Sequence, residues 1–315
     1  MLQPPPGSTL WGKQSRDAEK VAWPTPASLT RKCWIVGLPF LTLYRKLMSF
    51  DEEGFLSDDI ESLAEPIRRK HKDLFQLFCE ISRFAEKTKN EFLPQSEDRQ
   101  KLISTCLFIK CLEGIQASIV LAKIGLDADA VIVLRGVFET LVHLVLCVEE
   151  ESYSFKYLNK HEVHRLDLIK KAYQKKDRDG VWADIRNHFA KDDILKLEQE
   201  LRDKGIETDI EVYRRKYSIS NLAQKAKLSD LYDSFYTVTS DYTHANPLSL
   251  ERYVSTDSSG KIFQLNHGPC DNYAKTNLIS AAEFSLVAMS AMCKLFVVDK
   301  EKEIKDFHDR LKKLS

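Results

Sequence analysis

The chain has 315 residues, and its Lys+Arg total of 47 is balanced by an Asp+Glu total of 47, for a formal charge of zero. That length supplies one large or two modest domains with a substantial core. The charge balance excludes a strongly basic nucleic-acid sleeve but leaves room for a local patch.

Seven cysteines (Cys33, Cys79, Cys106, Cys111, Cys147, Cys270, Cys293) are scattered, mostly inside apolar runs and without a C-x-x-C pair. The pattern indicates reduced, core-packed thiols of a cytosolic protein rather than a disulfide framework or zinc site. No stretch of bilayer-spanning length is free of charge, so a soluble cytoplasmic protein without a membrane partner is expected. The segment Trp34 to Tyr44 imitates a signal h-region, but Pro39 interrupts it and no small-residue cleavage site follows.

Residues 1–47 are rich in proline (Pro4, Pro5, Pro6, Pro24, Pro26) and lack a helical period. They read as a poorly ordered or non-native extension, with Met48 as the natural start. Residues 48–315 read as one helical domain. Ser57 caps a helix running to Lys89 that restarts at Pro66. Pro94 to Ser96 opens a second helix whose apolar face holds Leu102, Ile103, Cys106, Leu107, Ile115, Ile119 and Leu121, ending near Gly125.

The next helix, from Asp127 or Asp129 to Glu149, is apolar nearly all round between Val131 and Val148. Its ionisable residues Arg135, Glu139 and His143 recur at i, i+4 and i+8, drifting only about 80° around the axis. Buried charge is costly unless paired, so this stripe requires partners. The short loop makes the helix an antiparallel neighbour of the one before it.

Tyr153 to Asp177 reads as one amphipathic helix with Phe155, Leu158, His161 or Val163, Leu166, Ile169 and Tyr173 inward and lysines outside. Val181 to Lys204 reads as a charged helical stretch ending at Gly205, a solvated arm or a partner surface rather than core, and residues 207–217 as a short helix or turn ending in Tyr213-Arg-Arg-Lys-Tyr217, whose cations between tyrosines suit a phosphate backbone or simply a solvated helix end; together 181–217 is a candidate charged helical insertion. Helices are expected at Asn221–Lys227 and Ser229–His244. The period then changes: Leu250–Val254 and Lys261–Leu265 around Thr256-Asp-Ser-Ser-Gly260 read as a β-hairpin. A last helix spans Asp271–Leu314. The expected fold class is all-α, a bundle of about eight helices with one short β-hairpin before the last.

Two constellations carry possible chemistry. In the first, Arg135 precedes Glu139, the less favourable order for an i,i+4 pair, so helix stability is a poor reason for them. A structural tie to a neighbouring helix or anion binding by the guanidinium are the alternatives. His143 is either a core histidine with one hydrogen bond or a secondary site residue. The second constellation is Tyr236, Ser240, Tyr242, His244, Asn246 and Ser249, at a helix end where the dipole favours a charged imidazole. His161-Glu-Val-His164 is one residue short of H-E-x-x-H. No Walker A loop, G-x-G-x-x-G, G-x-S-x-G or paired-cysteine zinc pattern occurs, and no metal or cofactor is expected.

The run Val133-Leu-Arg135-Gly-Val-Phe-Glu139, followed a hundred residues later by Tyr236-x3-Ser240-x2-Thr-His244-Ala, resembles a prokaryotic helical family defined only as a domain of unknown function. That family in turn looks like the HEPN class of toxins, abortive-infection and antiviral proteins. The resemblance implies RNA binding and metal-independent cleavage, with Arg135 at the phosphate, His244 moving the proton and Glu139 orienting either. Ser240, Tyr242, Asn246, His143 and Tyr236 would contact substrate. The class hallmark is R-x4-6-H within one helix, typically at a dimer interface. This chain departs from it: no Arg has a His at that spacing, so cleavage needs a composite site. RNA and a second copy, or a protein from the same operon, are the implied partners. The competing reading is a non-catalytic adaptor in a defence complex whose Arg135-Glu139-His244 network staples helices; a metal-dependent phosphohydrolase ranks third.

Overall fold

The computed structural model describes residues 49–175, 179–237, 239, 250, 253–256 and 261–315. The expectations for residues 1–47 lie outside them. By backbone contacts the chain divides into Met1–Ile60 with Leu250–Gly268, and Glu61–Ser249 with Pro269–Ser315.

In the first unit Val254–Thr256 (β1) pairs antiparallel with Ile262–Leu265 (β2), Val254 opposite Leu265, with a register irregularity between Ser255 and Thr256. Phe50, Phe55 and His267 pack as an aromatic trio, with Phe50 5.4 Å from Phe55 and 5.5 Å from His267 between ring centroids.

Among its described residues the second unit contains helices and no strand. Its elements are α1 (Glu65–Lys70), α2 (Lys72–Lys89), α3 (Arg99–Lys123), α4 (Asp127–Glu149), α5 (Glu151–Leu158), α6 (Lys160–Gln174), α7 (Val181–His188) and α8 (Lys191–Asp203). They continue as α9 (Ile210–Lys216), α10 (Ile219–Lys225), α11 (Ala274–Phe296) and α12 (Glu301–Leu314). The cap of α3 is Asp98, whose carboxylate accepts the Lys101 N–H at 2.9 Å, rather than Ser96.

The apolar α4 lies at the centre, with Leu134, Phe138, Leu141, Val142 and Leu144 fully enclosed. It packs on α3 and α11, and α2 and α12 complete this main core. Gly125 closes the α3–α4 connection: its φ of +81° suits only glycine, and a Cβ there would meet Pro269 at 2.5 Å. Asp127 is the first residue of α4 rather than its cap. Its buried carboxylate accepts the Tyr273 N–H at 2.9 Å, and its carbonyl accepts from Asn277 at 2.8 Å, tying the starts of α4 and α11.

Four expected helices are subdivided: Ser57–Lys89 comes as Ile60–Leu63, α1 and α2, and three others are each two. Tyr153–Asp177 divides at Asn159, whose side-chain amide and backbone N–H both donate to the Phe155 carbonyl, at 2.8 and 3.3 Å. The inward residues change accordingly: Tyr153 is buried, whereas Phe155, Leu158 and His161 face solvent. The charged stretch breaks at extended Phe189 and Ala190, where the Asp193 carboxylate accepts the Ala190 N–H at 2.7 Å. It is not a solvated arm. Leu197, Leu201 and Ile206 pack with Val163, Leu166 and Ile169 of α6 in a second small core, because three well-spaced leucine and isoleucine positions suffice for a narrow buried stripe. The last helix breaks at Val297, whose left-handed φ of 57° is paired with a Val298 N–H to Cys293 carbonyl bond of 2.9 Å. The chain turns there so that α12 packs on α2 and α11.

Three helices, Arg99–Lys123, Asp127–Glu149 and Ala274–Phe296, are long and apolar enough to cross a membrane by length and composition. Half or more of each most apolar stretch is buried against protein.

Helices α3 and α4 are in close contact at Gly114, where an added Cβ would meet the Val137 Cγ2 at 2.5 Å. Valine is stiff and cannot swing aside. Gly114→Ala is therefore expected to cost about 1–3 kcal/mol despite alanine's better helix propensity. At Gly136 an added Cβ meets nothing within 4 Å, so Gly136→Ala should gain about 0.5–1 kcal/mol. Urea melts check the contrast, and shifts of the same sign would refute it.

Candidate functional site

Helix α4 delivers Arg135 and Glu139 one turn apart, and the partner they require comes from a short π-helical turn, Tyr232–Tyr236. Its wider winding stacks Tyr232 on Tyr236, with centroids 5.2 Å apart, while Phe235 turns into the core against Phe284. Such turns recur at functional sites. Phe138 of α4 supports the Tyr236 ring at 5.5 Å.

The Tyr236 hydroxyl closes a three-membered ring of polar contacts. It accepts from Arg135 Nη2 at 2.6 Å and donates to Glu139 Oε1 at 2.7 Å. The direct Arg135–Glu139 ion pair is longer, 3.5 Å. The guanidinium carbon lies 4.1 Å from the Tyr236 ring centroid, adding a cation–π contact. Burial, with the Glu139 carboxylate as the next cause, holds the Tyr236 phenol well above its ordinary value, so it stays a neutral donor. Arg135 has a side chain only 15% exposed and a buried Nε without a hydrogen-bond partner, whereas Glu139 is 43% exposed.

That exposed side of Glu139 lines a cleft of about 640 Å³ between α3 and α4, together with Lys110, Glu113, His143, Tyr157 and Lys160. His143 is 6% exposed. Its Nε2 lies 3.2 Å from Lys160 Nζ and its Nδ1 2.8 Å from the Tyr153 hydroxyl. An ammonium only donates, so Nε2 accepts and the imidazole proton sits on Nδ1, donating to Tyr153. Burial first, then the Lys160 and Lys110 charges, pull the His143 pKa down to about 3. Burial and Lys110 also lower Lys160, against the pull of Glu139. His143 is thus a fixed neutral imidazole, not a proton donor near neutrality.

The structure therefore brings together Arg135, Glu139 and Tyr236 and sets His143 in the cleft that Glu139 shares. Ser240, Tyr242, His244 and Asn246 lie outside the described residues. Lys160, Lys110, Tyr153 and Tyr157 carry no site signal in the sequence; Lys160 belongs to a lysine-rich face that reads as solvated. Of His161 and His164, His161 meets only local groups, the Leu158 carbonyl and Glu162. Burial raises the thiols of Cys111, to about 12, and of Cys147 and Cys293, each to about 11, which removes them as thiolate nucleophiles.

Tyr236→Phe leaves Arg135 and Glu139 without their shared partner and is expected to cost about 1–3 kcal/mol in a denaturant melt; an unchanged midpoint would show the ring to be incidental. The second prediction is a pH dependence. Because the folded pKa of His143 lies below the unfolded value near 6.5, the unfolded chain binds more protons between about pH 6.5 and 3. Stability from this residue is full above 6.5 and falls on acidification by about 1.4 kcal/mol per pH unit. His143→Gln should flatten the melting profile between pH 6.5 and 4.5, and parallel profiles would contradict the assignment.

The profile of a family of unknown function, DUF5677, matches residues 101–262. No curated protein and no solved structure matches the chain. The matched span is half of the sequence and contains α4, the π turn and every lining residue of the cleft named above. The chain belongs to the DUF5677 family of unknown function.

Proposed function

We propose that this chain is a HEPN-like, RNA-binding protein of a prokaryotic defence or toxin system, acting in the cytoplasm. The observation that carries the reading is the double membership of Glu139, which is hydrogen-bonded to Tyr236 in the Arg135 network and also lines the cleft with Lys110, Lys160, Tyr157 and His143. Lysine side chains suit a phosphate backbone, and a tyrosine face suits an unstacked base. In its catalytic form the reading is a metal-independent ribonuclease with a composite site. Arg135 neutralises the scissile phosphate, Glu139 holds Arg135, and His244 takes the proton from the attacking ribose 2′-hydroxyl and returns one to the leaving 5′-oxygen.

The second reading is a non-catalytic adaptor. It is favoured by the closure of Arg135 between Tyr236 and Glu139, which uses the guanidinium as a tie between α4 and the π turn.

Anisotropy titrations with single-stranded RNA, and cleavage assays in chelator, separate them. Lys110→Ala and Lys160→Ala are expected to weaken RNA binding about 3- to 10-fold each and to lower the salt slope by about one. His244→Ala should abolish cleavage with the melting point unchanged. Absence of RNA binding at low salt would sink the first reading; binding without cleavage would leave the RNA-binding part and remove the nuclease.

A further inference from the structure

We propose that the cleft beside Glu139 is a guanine site, in which the Glu139 carboxylate accepts the neighbouring imino and amino N–H groups of one unstacked guanine nucleotide. The inference rests on the RNA-binding reading of this cleft and names the base that it selects. Glu139 Oε1 is already held, accepting from the Tyr236 hydroxyl at 2.7 Å and facing Arg135 Nη1 at 3.5 Å. Among the described residues Oε2 has no hydrogen-bond or ion-pair partner, and the side chain, 43% exposed, lines the cleft. The polar ring therefore delivers a carboxylate of fixed position with acceptor capacity to spare. Gly114, Ala117 and Gly136 line the same cleft, and an added Cβ at Gly136 would meet nothing within 4 Å. Small residues leave room there for a planar ring, and a volume of about 640 Å³ is that of a small-ligand site.

An ionised carboxylate only accepts, and that selects among the bases. Of the RNA bases guanine alone presents two neighbouring donors on its pairing edge, the ring imino N–H and the exocyclic amino group, and unstacked bases are read along that edge. Adenine and cytosine set their amino group beside an acceptor ring nitrogen. Uracil flanks its single imino N–H with two carbonyls. Each of these three brings a lone pair against the carboxylate. The rest of the lining decides against the other common ligand with such a fork. An arginine guanidinium matches a carboxylate at least as well. It would, however, carry its charge into a cleft that already holds Lys110 and Lys160, neither with an ion-paired carboxylate among the described residues. Guanine offers the same two donors without charge, and its strand brings phosphate for the lysines.

Anisotropy titrations of the full chain read the selectivity, using short single-stranded RNAs that are uridine throughout except for one central base. The guanosine strand is expected to bind about tenfold more tightly than the adenosine, cytidine and all-uridine strands. Inosine at the centre lacks the amino group and should fall about threefold below guanosine, with no change made to the protein. Glu139→Gln replaces an acceptor oxygen by a donor and should bring all the strands to within about twofold of one another. Free guanosine monophosphate should displace the labelled strand at concentrations where adenosine monophosphate does not. Equal binding of all strands by the wild type overturns the guanine site and leaves the RNA reading standing. A guanosine preference that survives Glu139→Gln, or that inosine retains in full, also overturns it, because the base is then read by other groups. If no strand binds while guanosine monophosphate raises the melting temperature of the wild type and not of Glu139→Gln, the RNA reading falls and the guanine site stands. If neither strand nor nucleotide binds, both fall.

Discussion

A guanidinium inside an apolar bundle has to be answered, and here a single phenol answers it. Arg135 stands on a helix whose neighbouring residues Leu134 and Phe138 are fully buried. Without Tyr236 its Nη2 would lose its acceptor and only the longer 3.5 Å contact of Nη1 with Glu139 would remain, and an incompletely satisfied buried cation is costly. The Tyr236 hydroxyl accepts from Arg135 and donates to Glu139, so the poor helical order of that pair becomes one side of a closed ring. Fixing the ring fixes the π turn against α4. The turn's aromatic residues, packed on Phe138 and Phe284, then hold the hydroxyl where the ring needs it.

Much of this was legible in the sequence, for identifiable reasons. The α4 span could be read within a residue or two because its apolar run is continuous and its loop short. The need for partners followed from three charges on one stripe. Tyr236 was visible as a candidate but not as the bridge, since nothing in a linear pattern says that a π turn will rotate it onto a residue a hundred positions earlier. One helix break was missed where a side chain takes a backbone N–H from the ladder, as the Asp193 carboxylate does at Ala190. The break at Val297 was missed because a β-branched residue is the least expected in the left-handed region. His143 was seen, but its partner Lys160 was hidden in a face of lysines that all look solvated.

The two polar systems on α4 have opposite electrostatic characters. Around Arg135 a cation, an anion and a phenol neutralise one another, and the result is rigid. Around His143 the neighbours are lysines, and the imidazole remains neutral because burial and two positive charges both oppose its protonation. Glu139 belongs to both systems, so a ligand that approaches it from the cleft competes with Tyr236 for the same carboxylate. That coupling gives the cleft a physical route to the π turn and to the residues that follow it.

The most direct test of this cleft as the RNA site is photo-crosslinking of 4-thiouridine-substituted single-stranded RNA to the full chain, with the modified peptides located by mass spectrometry. The account predicts adducts at Tyr157 and Lys160, lost when excess unmodified RNA competes. Competable adducts confined to helices away from α3, α4 and α6, or no competable adduct at all, would contradict it.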